Sequence, residues 1–121
     1  MVVSAKTDIG IKRHSNQDEY ALLNLDDGSV LAVVCDGMGG ANAGNVASHT
    51  ACQVITSFFE RSFRRGLDPD GVMALLQSAI LSANIEVFNM ASKNEELKGM
   101  GTTVVAVIAS GNTCHIVHVG D

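Results

Sequence analysis

The chain has 121 residues, 46 % of them apolar, which is enough for one domain with its own core and too many for a disordered chain. A net charge of −5, no tryptophan and a single tyrosine remove the electrostatic and stacking grounds for a nucleic-acid binder. No uninterrupted apolar run is long enough to span a membrane, and the start goes straight into a strand-like pattern rather than a signal peptide. Cys35, Cys52 and Cys114 have no ligand spacing and read as small buried thiols in a reducing compartment, so the expectation is a cytoplasmic protein.

In chain order, residues 2–7 read as a strand with a turn near Asp8-Ile9-Gly10, followed by the polar loop Lys12-Arg13-His14-Ser15-Asn16-Gln17-Asp18. Residues 20–25 read as a strand, and Asp26-Asp27-Gly28-Ser29 carries the Asp-Gly signal of a hairpin into the valine-rich strand 30–35. A hairpin sets the start of its first strand beside the end of its second, so Asp18 is expected next to Asp36. Two carboxylates held together repel unless a cation or a proton lies between them. Asp36 ends its strand on the glycine-rich turn Gly37-Met38-Gly39-Gly40. There the aspartate and the Gly37 carbonyl suit a hard cation, although a local cap at a strand-to-helix turn is the plainer alternative.

A helix is expected over 42–65, with Val46, Val54, Ile55, Phe58, Phe59 and Phe63 on its apolar face, Arg61, Arg64 and Arg65 in its last turns and Gly66 as its stop. Asp68 as N-cap and Pro69 at the first position open a second helix, whose buried stripe is Val72, Leu76, Ala79, Ile80, Ala83, Val87 and Met90. Gly99-Met100-Gly101-Thr102-Thr103 leads into a strand over 104–109, and Ser110-Gly111-Asn112-Thr113 turns it back into 114–119. That second hairpin brings Thr102 and Thr103 near Gly120-Asp121. Strand, hairpin, two long helices and hairpin make an α+β layout with antiparallel sheets.

Other chemistries fit poorly. The glycines at 37 and 39 would need glycine or alanine at Asn42 for a dinucleotide fingerprint, and the parallel crossover is absent. His115 and His118, three apart on a strand, point to opposite faces. His14 and His49 have no partner at a useful spacing, and no serine or cysteine sits in a nucleophile elbow. What remains is the carboxylates of Asp18, Asp36 and Asp121, the Gly37 carbonyl and one arginine, Arg13; ligands that are all oxygens point to magnesium or manganese rather than zinc.

Four motifs, Thr7-Asp8-Ile9-Gly10-Ile11-Lys12-Arg13 running into Asn16-Gln17-Asp18, Val33-Val34-Cys35-Asp36-Gly37-Met38-Gly39-Gly40, Gly99-Met100-Gly101-Thr102-Thr103 and His118-Val119-Gly120-Asp121, occur in order along the chain. Together they resemble the protein phosphatase 2C family, the metal-dependent serine/threonine protein phosphatases, in its bacterial type. The resemblance implies a β-sandwich of antiparallel sheets flanked by helices, with a manganese or magnesium site at one end. Two core ions and a third, weaker one are implied. Asp36 matches the aspartate that bridges two ions, Gly37 the glycine that gives a carbonyl, and Asp18 an acidic residue that holds metal through water. Arg13 matches the arginine that grips the substrate phosphate. Thr103, with Thr102 as the alternative, matches a threonine near the site, and Asp121 an aspartate of the third ion.

The implied activity is hydrolysis of phosphoserine and phosphothreonine on proteins by a metal-activated water, opposing a serine/threonine kinase, with no nucleic acid and no membrane as partner. Met38 stands where some relatives carry a histidine that is a candidate acid for the leaving group. The family domain also continues past this point, with two further metal-binding aspartates. Residues 1–121 are therefore expected to be the N-terminal part of one catalytic domain, inactive alone or dependent on self-association or on the C-terminal half. Such a piece should expose strand edges and an apolar sheet face. The alternative is a non-catalytic module that binds a phosphoprotein or another partner, and a phosphatase of anti-anti-sigma proteins would share the same fold and metals.

Overall fold

The computed structural model describes residues 17–40 and 42–120; the expected strand over 2–7, Arg13 and Asp121 lie outside the described residues. The elements are β1 (Asp18–Asn24), β2 (Val30–Met38), α1 (Ala43–Ser62), α2 (Pro69–Lys93), a short 3-10 turn (Glu95–Leu97), β3 (Gly101–Ser110) and β4 (Thr113–Val119). The strands form one antiparallel sheet in the order β1-β2-β3-β4. The α+β reading therefore holds. The two hairpins pair at the centre of the sheet, and the helices lie on one of its faces.

The first hairpin closes as expected. Asn24 pairs with Val30, Gly28 N–H donates to the Leu25 carbonyl at 3.1 Å, and Leu25 N–H donates to the Ser29 carbonyl at 2.9 Å. Asp27 accepts both the hydroxyl and the backbone N–H of the buried Ser29. These two hydrogen bonds, more than the distant charge of Arg65, hold the Asp27 carboxyl below its ordinary value. A depressed folded-state value stabilises the fold above the unfolded carboxyl's range and loses that effect as pH falls through the folded value. Asp27→Ala is therefore expected to lower the melting temperature by a few degrees at pH 7. The gap should narrow as both proteins are melted at pH values successively further below the ordinary aspartate range.

Each strand alternates its side chains between faces. Leu31, Val33 and Cys35 of β2 and Val104, Ala106 and Ile108 of β3 point to the helices and are buried. Against them lie Ala51, Cys52, Ile55, Phe59 and Phe63 of the α1 segment. From α2 come Val72, Leu76, Ala79 and Ala83. The face of α1 is graded. Its first half buries Ala43, Gly44, Ala47, Ser48, Ala51 and Cys52, and its second half buries Ile55 and Phe59. Small side chains bring the start of the helix close to the sheet, and the large ones hold its end away. The sequence periodicity singled out the large residues; Val46, Val54 and Phe58 are only partly buried beside them.

Two other expectations need correction. The first helix ends at Ser62, with Phe63 as its extended cap, so of the three arginines only Arg61 lies in the last turn. Arg64 donates to the Phe63 carbonyl at 2.7 Å, and Arg65 donates to the Asp26 carbonyl, tying the chain exit to the first hairpin. These contacts satisfy backbone carbonyls. Cys114 is exposed on β4, whereas Cys35 and Cys52 are buried.

The second helix starts as the sequence requires, with the Asp68 carboxylate accepting the Gly71 N–H at 2.8 Å and Pro69 in its first turn. At 25 residues it is long and apolar enough by composition to cross a membrane, which a scan for uninterrupted runs passes over because Gln77, Ser78, Asn84 and Glu86 break it. Its Val72, Leu76, Ala79, Ala83 and Val87 stripe is buried in the core. The sheet face away from the helices carries Tyr20, Leu22, Val34 and Ile116, all exposed. This is the apolar sheet face that the sequence led one to expect.

Candidate metal centre

At the end of the sheet nearest the start of α1, the pairing register lines up the chemistry. Asp18 is opposite Asp36, and Asp36 is opposite Thr103. Directly paired residues of antiparallel strands share a face, so these three form one row across β1, β2 and β3. The row lies on the face away from the helices, because Cys35 and Val104, one position along, point inward. Asp18 and Asp36 are both half-buried. The Asp36 N–H donates to Thr103 Oγ1 at 3.3 Å. Thr102 stands on the opposite face, with its hydroxyl on the Thr103 carbonyl at 2.8 Å, beside an apolar cavity of about 190 Å³. Of the two threonines, Thr103 is the one that joins Asp36.

Gly120 continues the row. It has φ +102, a conformation glycine adopts without strain, and a Cβ there would lie 2.8 Å from Thr103 Cγ2. Residue 120 thus passes against Thr103. Asp121, which follows it, is outside the described residues, and so is Arg13.

The turn after Asp36 is built by backbone contact. Gly37 donates its N–H to the Gln17 carbonyl at 3.0 Å, and the Gln17 side-chain amide donates to the Gly39 carbonyl at 3.3 Å. A Cβ on Gly37 would run into the Gly44 carbonyl in the first turn of α1. The strand end and the helix start therefore meet backbone to backbone, which only glycine at 37 permits. The small face of α1 makes this approach possible. Gln17 was legible in the sequence only as part of a motif; its role as the clamp of this turn follows from the structure.

His49 also has a partner that spacing along the chain did not reveal. Its Nδ1 lies 2.8 Å from Glu19 Oε2, joining α1 to the helix-side face of β1. The side chains are 60 % and 38 % exposed, so the pair is screened by water and worth little, about 0–1 kcal/mol. With Asp18, Asn42 and Asn45 it lines a groove. His115 and His118 do lie on opposite faces, since they pair with Ile108, which is buried, and Val105.

The donor set fits a hard divalent cation. Two carboxylates face each other across a strand pair, a hydroxyl follows in the same row, and the Gly37 carbonyl adjoins them. Among the described residues no group of three or more His, Cys, Asp or Glu side chains is gathered. A full coordination shell would thus draw on water, backbone oxygens or residues beyond those described.

The chain is similar to known proteins. The family described as Protein phosphatase 2C matches residues 11–121. A serine/threonine phosphatase, stp, of Listeria innocua is 34 % identical over 116 residues, covering 96 % of this chain and 46 % of that protein. The serine/threonine protein phosphatase PstP of Mycobacterium tuberculosis is 32 % identical over 120 residues, covering 98 % of this chain and 21 % of that protein. The crystal structure of serine/threonine phosphatase Stp1 from Staphylococcus aureus superimposes with a TM-score of 0.84 at 34 % identity, over 96 % of this chain and 45 % of that one. The catalytic domain of PstP in complex with two manganese ions superimposes at 0.77 and 29 % identity, over 98 % of this chain and 47 % of that one. The chain spans about half the length of the Listeria relative and of both solved structures.

Proposed function

This chain belongs to the protein phosphatase 2C family, and from that premise we propose that it forms the N-terminal part of one catalytic domain that hydrolyses phosphoserine and phosphothreonine on proteins. The observation that carries the reading is the row of Asp18, Asp36 and Thr103. A phosphate dianion would be repelled by these carboxylates alone, so a cation is the element that reconciles an acidic row with an anionic substrate.

Asp36 and Asp18, with the Gly37 carbonyl, are the groups that would hold manganese or magnesium. When bound, such ions lower the pKa of water and offset the charge on phosphoryl oxygens. The remaining work falls to the chain. Thr103 holds the Asp36 amide and so fixes the end of β2. Gln17 ties Gly37 and Gly39 to β1, which keeps both carboxylates in register. Arg13, assigned by its place in the motif, would grip the phosphate with paired N–H donors, and Asp121 would serve a third ion. Met38 has no proton to give, so the leaving oxygen takes its proton from solvent or from another group.

The partners proposed are phosphorylated proteins and an opposing serine/threonine kinase, in the cytoplasm, a compartment in which the three free cysteines are thiols at rest. The test is hydrolysis of a phosphothreonine peptide by this chain joined to the second half of the Staphylococcus aureus relative. Turnover with manganese that a chelator stops is the expected result. A folded, manganese-bound chimera without turnover would replace this reading with that of a module that binds phosphoproteins.

A further inference from the structure

The metal centre does not use the two buried cysteines, yet the fold brings them together. Cys35 is the last inward-facing residue before Asp36 on β2, and Cys52 lies in the buried face of α1. They are 0 % and 3 % exposed. The Cys52 thiol points at Cys35, with Sγ to Sγ 3.4 Å. We propose that Cys35 and Cys52 are a redox-modification site, which hydrogen peroxide converts to a disulfide that staples β2 to α1 around the Asp36–Gly40 turn.

The geometry favours this product over others. A disulfide needs its sulfurs at about 2.05 Å, so closure asks for a shift of little more than an ångström from the thiol contact. The partners are 17 positions apart, and the segment between them contains Asp36, the glycine turn and the first turns of α1. In the reaction, one sulfur attacks a peroxide oxygen, the O–O bond breaks, and water leaves with formation of a sulfenic acid. The second sulfur then attacks the first, the S–O bond breaks and a second water leaves. Two thiols together lose two protons and two electrons, and one peroxide becomes two waters.

Burial selects the oxidant and sets the rate. A glutathione-sized disulfide cannot reach the pair, whereas peroxide is close to water in size and enters during local opening. The Cys52 thiol is held well above its ordinary value, first by its bond to Cys35 and then by burial, so the reaction is slow compared with that of the exposed Cys114. Once one sulfur is oxidised, the neighbour at 3.4 Å captures it before a second peroxide does.

The test uses the 121-residue chain with Cys114→Ser, which removes bridging between molecules. Peroxide should reduce the intact mass by two hydrogens, with a linked peptide pair joining Cys35 and Cys52. The melting temperature should rise by about 5–10 °C and return when dithiothreitol is added. In the Cys114→Ser, Cys52→Ala chain the same treatment should leave the melting temperature without such a rise. Both thiols remaining reduced under prolonged peroxide, or ending as separate sulfinic acids, would overturn the assignment. A linked pair with an unchanged or lower melting temperature would overturn the staple.

Discussion

Gly37→Ala is expected to destabilise the fold by about 3 kcal/mol or more, near the upper end for overpacking. The new methyl group would occupy the place of the Gly44 carbonyl, in the backbone of the first turn of α1. A side chain can rotate away from a clash; a helical carbonyl can move only if the helix moves. The helix in turn is fixed by Ala51 and Cys52 in the core against the sheet and by Ala47 in a second cluster with Val87 and Met100. Gly44→Ala is the informative companion. Its methyl group would meet the Gln17 side chain, which can swing aside, so its loss should be smaller. Urea midpoints of the two variants measure the difference. A Gly37→Ala chain as stable as the wild type would contradict the backbone contact between β2 and α1.

Asp36→Asn is expected to weaken manganese binding at least about 100-fold, because even partners one step removed from a metal are worth about 10–100-fold. The fold should survive, since asparagine has the same shape and the residue's backbone N–H keeps its bond to Thr103 Oγ1. Titration calorimetry with manganese, beside circular dichroism of both proteins, separates lost binding from lost structure. Thr103→Val should cost less, because it removes a hydroxyl and leaves both carboxylates. An Asp36→Asn chain that binds manganese as the wild type does would remove Asp36 from the site.

The juxtaposition of Asp18 and Asp36 was legible because it needs only two local facts. The Asp26-Asp27-Gly28-Ser29 turn fixes the hairpin, and the strand period then carries the register outward to Asp18 opposite Asp36. The second hairpin yields to the same logic at Gly111-Asn112. It brings Thr103 beside Gly120, where the resemblance favoured Thr103 and kept Thr102 as the alternative. Only the pairing of β2 with β3, strands separated by both helices, decides between them. The contacts between His49 and Glu19 and between Cys52 and Cys35 escaped for a related reason. Each joins a helix to a strand, and the height and rotation of a helix over a sheet leave no period in the sequence. The buried face of α1 was misjudged where small residues carry it. Ala43, Ala47 and Ala51 look neutral beside Val46, Val54 and Phe58, yet the close approach at Gly37 requires small side chains there.

The most direct test of the Asp18–Asp36 row as a cation site is the site-resolved effect of manganese on the amide NMR signals of this chain. Weak binding suffices, because a paramagnetic ion broadens nearby signals even when it exchanges rapidly. The expected result is selective loss of the signals of Asp18, Asp36, Gly37 and Thr103 at low manganese. The turn at Gly111-Asn112, at the other end of β3, should stay sharp. Asp36→Asn should abolish the pattern. Broadening centred instead on Asp26 and Asp27 or on Asp68 and Asp70, with the row untouched, would contradict the assignment.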